Sequence, residues 1–330
     1  MVCRRRWLRV LAAGVAVVVA GCGPARRAAK APWAGERWTN GLGMAFVRIP
    51  AGEFEMGTSE AEVAELVERY GEVGRRVKFE QPRHRVRIAR DFLMGRHEVT
   101  VGQFRRFVDA TGYTTEPERT GGPQAYTGND VWARTPERNW RKPGFAQTDQ
   151  HPVVCVSWND AQKFVAWLNT ADPKRPRGWA YRLATEAEWE YAARGRERRE
   201  FAWGKAWDPS WANFADKRAG VTWGDGTADD GHPRTAPVGT YSPKGDSPFG
   251  VCDMTGNVWE WCLDTFDPAF YSRSPVDDPV NSAEGNQRVE RGGSWAFTED
   301  YCRTAFRMPL EPNESYDTLG FRVVLAPASP

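Results

Sequence analysis

The stretch of this chain most suggestive of chemistry is RGGSWAFTEDYCRTAFR, residues 291–307, which holds one cysteine, Cys302. A thiolate can bind a soft metal ion or take part in redox chemistry. A cysteine can equally form half of a disulfide, or pack as a small apolar side chain in a core. This segment alone leaves all three interpretations open, so the rest of the sequence must decide between them.

The histidines give no support for a zinc site. His84, His97, His151 and His232 are scattered, and no two of them have the spacing of a motif such as His-Glu-x-x-His. We interpret His151, which precedes Pro152, as a structural hydrogen-bonding residue rather than a base. The formal net charge of +2 over 330 residues does not indicate nucleic-acid binding, and no nucleic-acid partner is expected.

The first residues predict export. Three arginines at positions 4–6 precede an apolar stretch, residues 7–20, that is too short to span a bilayer comfortably and is typical of a signal peptide. The stretch ends in Val-Ala-Gly-Cys, and small residues before a cysteine resemble a bacterial lipobox, in which the thiol of Cys22 is lipidated. The alternative is an ordinary cleaved signal peptide in which Cys22 has no role.

This pattern predicts a signal peptide over residues 1–21 and a lipidated tether over residues 22–43. The membrane is then a partner through the N-terminal lipid, and the domain lies in the cell envelope. Gly23 follows the lipidated cysteine where an inner-membrane retention signal prefers aspartate, which favours the outer membrane, with the domain facing the periplasm or the surface. Such a compartment permits disulfides. The four cysteines that remain allow three complete pairings: Cys155, Cys252, Cys262 and Cys302.

Residues 44–326 are predicted to form one α+β domain with few helices and much irregular chain. The alternation in residues 46–57 predicts two strands joined by a tight turn, and residues 83–100 alternate again. Residues 114–150 have little periodicity and many Gly, Pro, Arg and Asn residues. A long irregular segment of this kind suggests a binding loop or a covering lid.

Three helices are expected. Thr100 is a plausible N-cap for a helix that should end at Gly112. Asn159 and Asp160 can cap a second amphipathic helix, and Thr185 with its capping-box partner opens a third helix, which should end at Gly195. No further helical periodicity follows, so short strands and loops are expected beyond residue 195.

Ten motifs occur in an order that resembles the formylglycine-generating enzyme family, also called the sulfatase-modifying factor family. They are EMG (55–57), EVT (98–100), FVDATGY (107–113), NWRKPG (139–144), HPVVCVSWNDA (151–161), RLATEAEWEYAARG (182–195), FAWG (201–204), GNVWEW (256–261), RVERGGSW (288–295) and LGFRVV (319–324). The resemblance covers nearly the whole chain after the leader. It implies the C-type-lectin-like fold of that family, a loop-rich α+β architecture with few short helices and strands.

The resemblance also implies what the chain lacks. Enzymes of this family oxidise a sulfatase cysteine to formylglycine with oxygen and copper held by two cysteine thiolates, five residues apart after Gly-Gly-Ser. Here the second position is Cys302, but the first is Phe297, which cannot bind copper, so copper is doubtful. Ser294 and Trp259 match positions that line the family's active cleft and, with Cys302, are the catalytic candidates. Alternatively, Ser294 closes a turn and Trp259 fills the core.

Two calcium sites are implied by the same resemblance, and both would be structural. Calcium binds six to eight oxygen atoms, which irregular loops can supply from carboxylates and backbone carbonyls. The ligands of the first site match Asp253, Gly256, Val258 and Glu260. The ligands of the second match Asn213, Phe214, Asp230 and His232, although Asp229 competes for the role of Asp230. Ordinary hydrogen bonds in both loops are the alternative. Cys252 and Cys262 flank the first loop, and we hypothesise a disulfide between them.

Two functions are therefore considered. The first is an exported lipoprotein whose domain lacks copper chemistry and acts as a binding or structural module, or performs a divergent periplasmic reaction, with an unknown protein or small-molecule partner. The second is a copper-dependent oxidase that converts a sulfatase cysteine to formylglycine with Cys302 and an unexpected second ligand.

Overall fold

Short strands and helices alternate with long loops along the chain. The computed structural model describes residues 36–328. Its strands are β1 (Arg37–Thr39), β2 (Ala45–Ile49), β3 (Gly52–Met56), β4 (His84–Ile88), β5 (Phe92–Gly95), β6 (Gln124–Tyr126), β7 (Trp132–Arg134), β8 (Trp179–Leu183), β9 (Trp259–Thr265), β10 (Arg288–Arg291), β11 (Arg307–Leu310), β12 (Leu319–Gly320) and β13 (Val323–Pro327). Its helices are α1 (Glu60–Tyr70), α2 (Val101–Thr111), α3 (Glu116–Thr120), α4 (Trp158–Ala171) and α5 (Glu186–Arg194), with 3₁₀ segments at Gly71–Glu80 and Phe270–Arg273.

Two larger sheets organise these elements. The first has the order β1-β2-β5-β13-β8, and all its neighbouring strands are antiparallel. The second has the order β11-β10-β9-β12, in which only the β12–β9 pair is parallel. Strands β3 with β4 and β6 with β7 form two separate ribbons.

The five-stranded sheet separates two hydrophobic cores. Along β13, Val323 and Leu325 pack into one core and Val324 into the other, as the alternation of side chains along a strand requires. Helices α2 and α4 cover the first core, where the Phe104 and Phe164 rings stack 5.9 Å apart. Helix α5 covers the second core, so the helices are held by apolar burial on opposite faces of one sheet.

The helix boundaries follow local capping rules. Thr100 caps α2, whose end is set by Gly112 in the left-handed region at φ 68°. Thr185 and Glu188 form the capping box of α5, as predicted. The N-cap of α4 is Ser157 with Asp160 as its capping-box partner, so the predicted N-cap positions at Asn159 and Asp160 were two to three residues late.

Three expectations about the N-terminal half need correction. Residues 46–57 do not form a strand pair, because β2 pairs with β1 and β5 whereas β3 pairs with β4. Strand β1 begins at Arg37, so the folded sheet starts before residue 44 and includes part of the segment assigned to the tether. The segment 114–150 is less irregular than expected, since it contains α3 and the β6–β7 ribbon.

Between residues 36 and 328, no helix is long and apolar enough to cross a membrane. The signal peptide over residues 1–21 and the lipidation site at Cys22 lie outside the described residues.

Candidate functional site

Cys302 is a buried thiol in a tight turn. It is fully buried, and its Sγ lies 4.0 Å from the carbonyl oxygen of Phe297. A Cβ on Gly293 would lie 2.5 Å from the same Sγ, so the Gly-Gly-Ser turn leaves just enough room for the sulfur. Phe214 and Ala228 complete its apolar surroundings. Burial, reinforced by the negative charge of Asp300, raises the pKa of the Cys302 thiol well above its usual range, so it is protonated at neutral pH.

No other thiol pairs with Cys302 in the described part of the chain. Cys155, Cys252, Cys262 and Cys302 are all free and buried. Cys155 packs against Val154 and Val258, in a hydrophobic cluster different from that of Cys302. The hypothesis of a disulfide between Cys252 and Cys262 is therefore wrong for this structure: Cys262 belongs to the second core, while Cys252 lies beside Gly239.

Phe297 sits at the centre of an aromatic cluster. Its ring meets Trp259 edge to face at 5.5 Å, and its centroid is 5.1 Å from Tyr301 and 6.3 Å from Trp132. These are favourable geometries for aromatic pairs. Trp259 is buried behind Phe297, so of the two only Phe297 reaches the surface cleft described next.

This aromatic cleft is an open depression of about 700 Å³. Its aromatic wall consists of Tyr70, Trp132, Phe214, Trp223, Phe297 and Tyr301. Trp132 and Trp223 stack with their centroids 5.8 Å apart and their planes inclined by 24°. Trp223 is 42% exposed, which is unusual for so large an apolar side chain and leaves its face open to a ligand.

Three carboxylates and one guanidinium, that of Arg76, also line the aromatic cleft. Asp225 accepts hydrogen bonds from the backbone and hydroxyl of Thr227, which lower the pKa of its carboxyl and keep it ionised. Asp300 is 5% exposed; its Oδ1 accepts the Thr298 hydroxyl at 2.5 Å, while its Oδ2 is buried without a partner. Burial raises the pKa of both Asp300 and the third acid, Glu299.

The three catalytic candidates are buried and lie outside the aromatic cleft. Ser294 is fully buried on the turn beside Cys302, and its Oγ accepts only the Ala296 N–H at 3.4 Å. Neither Ser294, Cys302 nor Trp259 lines the aromatic cleft. Instead, the cleft is lined by Trp132, Trp223 and Asp300, which the sequence analysis missed. Trp132 lies within residues 114–150, which were interpreted as a binding loop or lid. That interpretation was the one feature of the sequence that pointed to the cleft.

The loop of the first expected calcium site, residues 253–260, is called the first calcium loop below. Buried acidic side chains outnumber cationic ones around it. Both oxygens of Glu260 accept hydrogen bonds from the Arg322 guanidinium, at 2.6 and 2.5 Å, and Oε2 also accepts the Trp189 indole N–H at 2.9 Å. Burial raises the pKa of Asp253 to about 6. Burial, and then the charge of Asp253, raises the pKa of Glu98, whose Oε2 is buried without a partner. The Arg322 guanidinium is thus the one cation set against the carboxyl groups of Glu98, Asp253 and Glu260 among the described residues of this loop.

The second calcium loop has an orphaned amide oxygen. Asn213 is fully buried, and its Oδ1 has no hydrogen-bond partner. Asp230 accepts the backbone N–H groups of Phe214 and His232, and burial raises the pKa of its carboxyl to about 7. Asp229, by contrast, is exposed and forms ion pairs with Arg218 and Lys217, whereas Asp230 is half-buried.

The two calcium loops are joined to each other. Asn213 Nδ2 donates to Asn257 Oδ1 at 3.1 Å, and the Asn257 backbone N–H donates to the Asn213 carbonyl at 2.8 Å. A Cβ on Gly256 would lie 2.2 Å from the same carbonyl. Within residues 36–328, no cluster of three or more His, Cys, Asp or Glu side chains is arranged to hold a metal ion. The expected sites instead combine one or two such side chains with carbonyl and amide oxygens, and the orphaned Asn213 oxygen and the acids fit a hard cation.

Comparison with known proteins identifies the family to which this architecture belongs. The sequence profile of the family described as "Sulfatase-modifying factor enzyme 1-like domain" matches residues 35–327. The chain belongs to the formylglycine-generating enzyme family.

Relatives within the family include proteins named as enzymes and proteins named as inactive. The formylglycine-generating enzyme of Streptomyces coelicolor is 37% identical over 93% of this chain and 96% of its own length. The inactive C-alpha-formylglycine-generating enzyme 2 of Mus musculus is 31% identical over 87% of each chain. Among solved structures, PvdO from Pseudomonas aeruginosa superposes with a TM-score of 0.68 at 27% identity and covers 90% of this chain and 100% of its own. The loop-rich α+β fold expected from the resemblance is thereby confirmed.

Proposed function

We propose that this protein is an exported, lipid-anchored member of the family that binds a ligand in the aromatic cleft and does not oxidise cysteine through copper. The observation that carries this proposal is Phe297, whose ring lines the cleft where the first copper-binding cysteine of the family would stand. The mammalian relatives named as inactive are consistent with a family in which some members keep the fold but do not perform the reaction.

The state of Cys302 supports the same proposal. Copper(I) needs soft thiolates, and two of them hold it in low coordination. Cys302 is protonated, fully buried and without a second described thiol in its cluster. Binding copper would therefore require removal of a proton from a thiol whose pKa burial has raised, with only one sulfur ligand gained in return.

The lining of the aromatic cleft suggests an organic cation as the ligand. Aromatic faces attract ammonium and guanidinium groups, and the attraction grows when the site is partly desolvated. Asp300 Oδ2 is a buried acceptor without a donor, and Asp225 is ionised at the rim. The proposed ligand class is therefore a primary amine, quaternary ammonium or guanidinium group on an apolar stem, as a small molecule or as a side chain of a protein partner.

The test is titration of the protein with butylammonium, butyltrimethylammonium and butylguanidinium, followed by tryptophan fluorescence and calorimetry, with n-butanol as the neutral analogue. The cations should bind and butanol should not. Trp223→Ala and Asp300→Asn should each weaken cation binding several-fold. The control Asp109→Asn, at an exposed and unpaired aspartate on α2, should bind like the parent. Equal affinity for butanol and the cations would refute the proposed ligand class.

The second candidate function is the copper-dependent oxidase that uses Cys302. The specific observation in its favour is the 37% identity with the Streptomyces coelicolor formylglycine-generating enzyme over nearly the whole length of both chains. It is tested by loading the protein with copper(I) and incubating it with a Cys-x-Pro-x-Arg peptide in oxygen. Turnover that disappears in the Cys302→Ser variant would establish this function and remove the non-copper proposal.

We also propose that calcium binds the two loops around Asp253 and Asn213 as a structural ion. Asp253 and Glu260 would hold it at the first site with the carbonyls of Gly256 and Val258. Asn213 and Asp230 would hold it at the second with those of Phe214 and His232. Calcium would neutralise carboxylates and use the Asn213 amide oxygen, which lacks a partner. Millimolar calcium should raise the melting temperature of chelator-treated protein, and Asn213→Ala should reduce that increase. No increase in the parent would refute the proposal.

A further inference from the structure

A second cavity, of about 260 Å³, shares no lining residue with the aromatic cleft and is lined mostly by charged residues. Helix α1, the last residue of α5, the loop 198–205 and the segment 303–305 form its walls. Five cationic side chains face it: Arg69, Arg194, Arg198, Lys205 and Arg303. Guanidinium groups are planar donors that match oxyanions, and their convergence on one small cavity indicates an anionic ligand.

Arg194 supplies the most specific sign of such a ligand. It is 6% exposed, and its Nη1 donates to Glu190 Oε1 at 2.7 Å and to the Gly57 carbonyl at 3.2 Å. Its Nε–H is buried and has no partner. A buried donor without an acceptor destabilises the folded state. An acceptor that enters the cavity would remove this penalty, which favours its binding.

The charge behind Arg194 is also unbalanced. Arg307 pairs with Glu186, Glu186 with Arg291, Arg291 with Glu190, and Glu190 with Arg194, all with contacts of 2.6–3.0 Å. This buried relay contains three guanidinium groups and two carboxylates. Arg194 is the member of this relay that lines the cavity, where a ligand can meet its guanidinium.

The mouth of the cavity carries two further cations without partners. Arg198 and Lys205 are exposed and make no hydrogen bond or ion pair with the described part of the chain, and Arg198 adopts a left-handed φ of 53°. Three acids share the lining, but two of them are engaged: Glu62 with Arg83 and Glu200 with Arg69. Among the described residues of the lining, Glu65 is the one unpaired acid, against two unpaired cations and the Arg194 donor.

We propose that this cavity binds a tetrahedral oxyanion, a phosphate or sulfate group. Such a group can accept from Arg194 Nε at the back and from Arg198 and Lys205 at the mouth. The group could be free, or it could be carried by a soluble ester or a lipid headgroup. This site does not depend on the ligand of the aromatic cleft.

The experiment is calorimetric titration with sodium phosphate and sodium sulfate, with sodium chloride at matched ionic strength as reference. Phosphate and sulfate should bind at one site. Arg198→Gln combined with Lys205→Gln should weaken binding at least tenfold, and Arg194→Lys, which keeps the charge but removes the Nε donor, should weaken it as well. The control pair Lys163→Gln with Arg177→Gln changes two exposed, unpaired cations elsewhere and should bind like the parent.

If Arg194→Lys melts too low to assay, the exposed double variant decides the matter alone. Unchanged affinity in that variant, or an equal response to chloride, would overturn the proposal. Titration with glycerol 3-phosphate and with phosphatidylcholine vesicles that contain or lack phosphatidic acid then identifies the source. Binding of the soluble ester indicates a small-molecule ligand, and binding of the phosphatidic acid vesicles alone indicates a lipid headgroup.

Discussion

At the residue scale, the difference between this chain and a copper enzyme of the family is concentrated at Phe297. Introducing Phe297→Cys would place a second thiol five residues before Cys302. The carbonyl oxygen of residue 297 itself already lies 4.0 Å from the Cys302 sulfur. Two thiolates bind copper(I) far more tightly than one. We expect the variant to gain at least a hundredfold in copper(I) affinity, measured by competition with a chromophoric chelator.

The matched control for this prediction is the double change Phe297→Cys with Cys302→Ser, which has the same cavity but a single thiol. It should bind copper(I) no better than the parent. A parent protein that already binds copper(I) as tightly as Phe297→Cys would contradict the prediction.

A second prediction at this scale concerns Glu290 on β10, which is 8% exposed and lies opposite Trp261 and Met308 in the sheet. Burial raises the pKa of its carboxyl from 4.5 to about 8. Between those values the folded state holds a proton that the unfolded state has released, so the free energy of unfolding falls as pH rises. Glu290→Gln should therefore become more stable relative to the parent from pH 5 to pH 8, by roughly 1 kcal/mol per pH unit.

Urea unfolding at several pH values measures this effect. Asp230 and Asp264, whose pKa values are each raised to about 7, also make the free energy of unfolding fall as pH rises. Both residues are present in the parent and in the variant, so their effects cancel in the difference between the two free energies. Glu284→Gln, at an exposed site, should run parallel to the parent. A constant difference between Glu290→Gln and the parent across this pH range would contradict the assignment.

At the scale of elements, Arg322 connects β9 to the end of the chain. Its guanidinium donates to both oxygens of Glu260 and to the Gly95 and Cys252 carbonyls. Arg322→Met fills similar space but leaves a buried acid cluster without its cation. Breaking a buried ion pair from one side costs roughly 3–5 kcal/mol, so unfolding by urea should show a loss of that order.

The control for this prediction is Arg48→Met. Arg48 is 34% exposed in its pairs with Glu36 and Asp91, and such surface pairs contribute about 1 kcal/mol or less. If calcium occupies the loop around Asp253, adding it should recover part of the stability lost in Arg322→Met. Equal losses in the two variants would mean that the buried pair carries no special weight.

Local signals explain which elements could be predicted from the sequence. Helices α2 and α5 have capping boxes and apolar periodicity, and both were predicted close to their observed bounds. Helix α1 carries the same kind of signal, a capping box between Ser59 and Glu62, but buries only Leu66, so its periodicity is weak and it was missed. Pairing was harder: β2 and β3 are two residues apart yet join different sheets, because their partners lie far along the chain.

The candidate site was predictable only in part, for a similar reason. The turn that holds Ser294 and Cys302 is local, and its sequence identified it. The aromatic cleft is assembled from distant segments around Trp132, Trp223 and Asp300. A tryptophan in a loop looks the same in sequence whether it fills a core or lines a cleft. The calcium loops, and the choice of Asp230 over Asp229, likewise depend on burial that sequence alone does not give.

At the scale of the whole molecule, we predict that the N-terminal lipid determines where the domain is found. Cys22→Ser removes the thiol that would be lipidated and leaves the folded residues unchanged. The variant should move from the membrane fraction to the soluble fraction, because the remaining chain offers no long apolar helix among the described residues. Fractionation by immunoblot measures this, with Cys3→Ser, a change within the predicted leader, as the control. Membrane retention of Cys22→Ser would contradict the prediction.

The position of β13 has a consequence for the order of events in biogenesis. Strand β13 lies between β5 and the edge strand β8, pairing Val324 with Met94 and Val323 with Leu183, so β8 cannot join the main sheet until β13 is in place. A chain synthesised from its N-terminus cannot complete the five-stranded sheet, or the two cores on its faces, before β13 emerges. Completion of both cores is thus a late step of folding, because it waits for β13 to insert between β5 and β8.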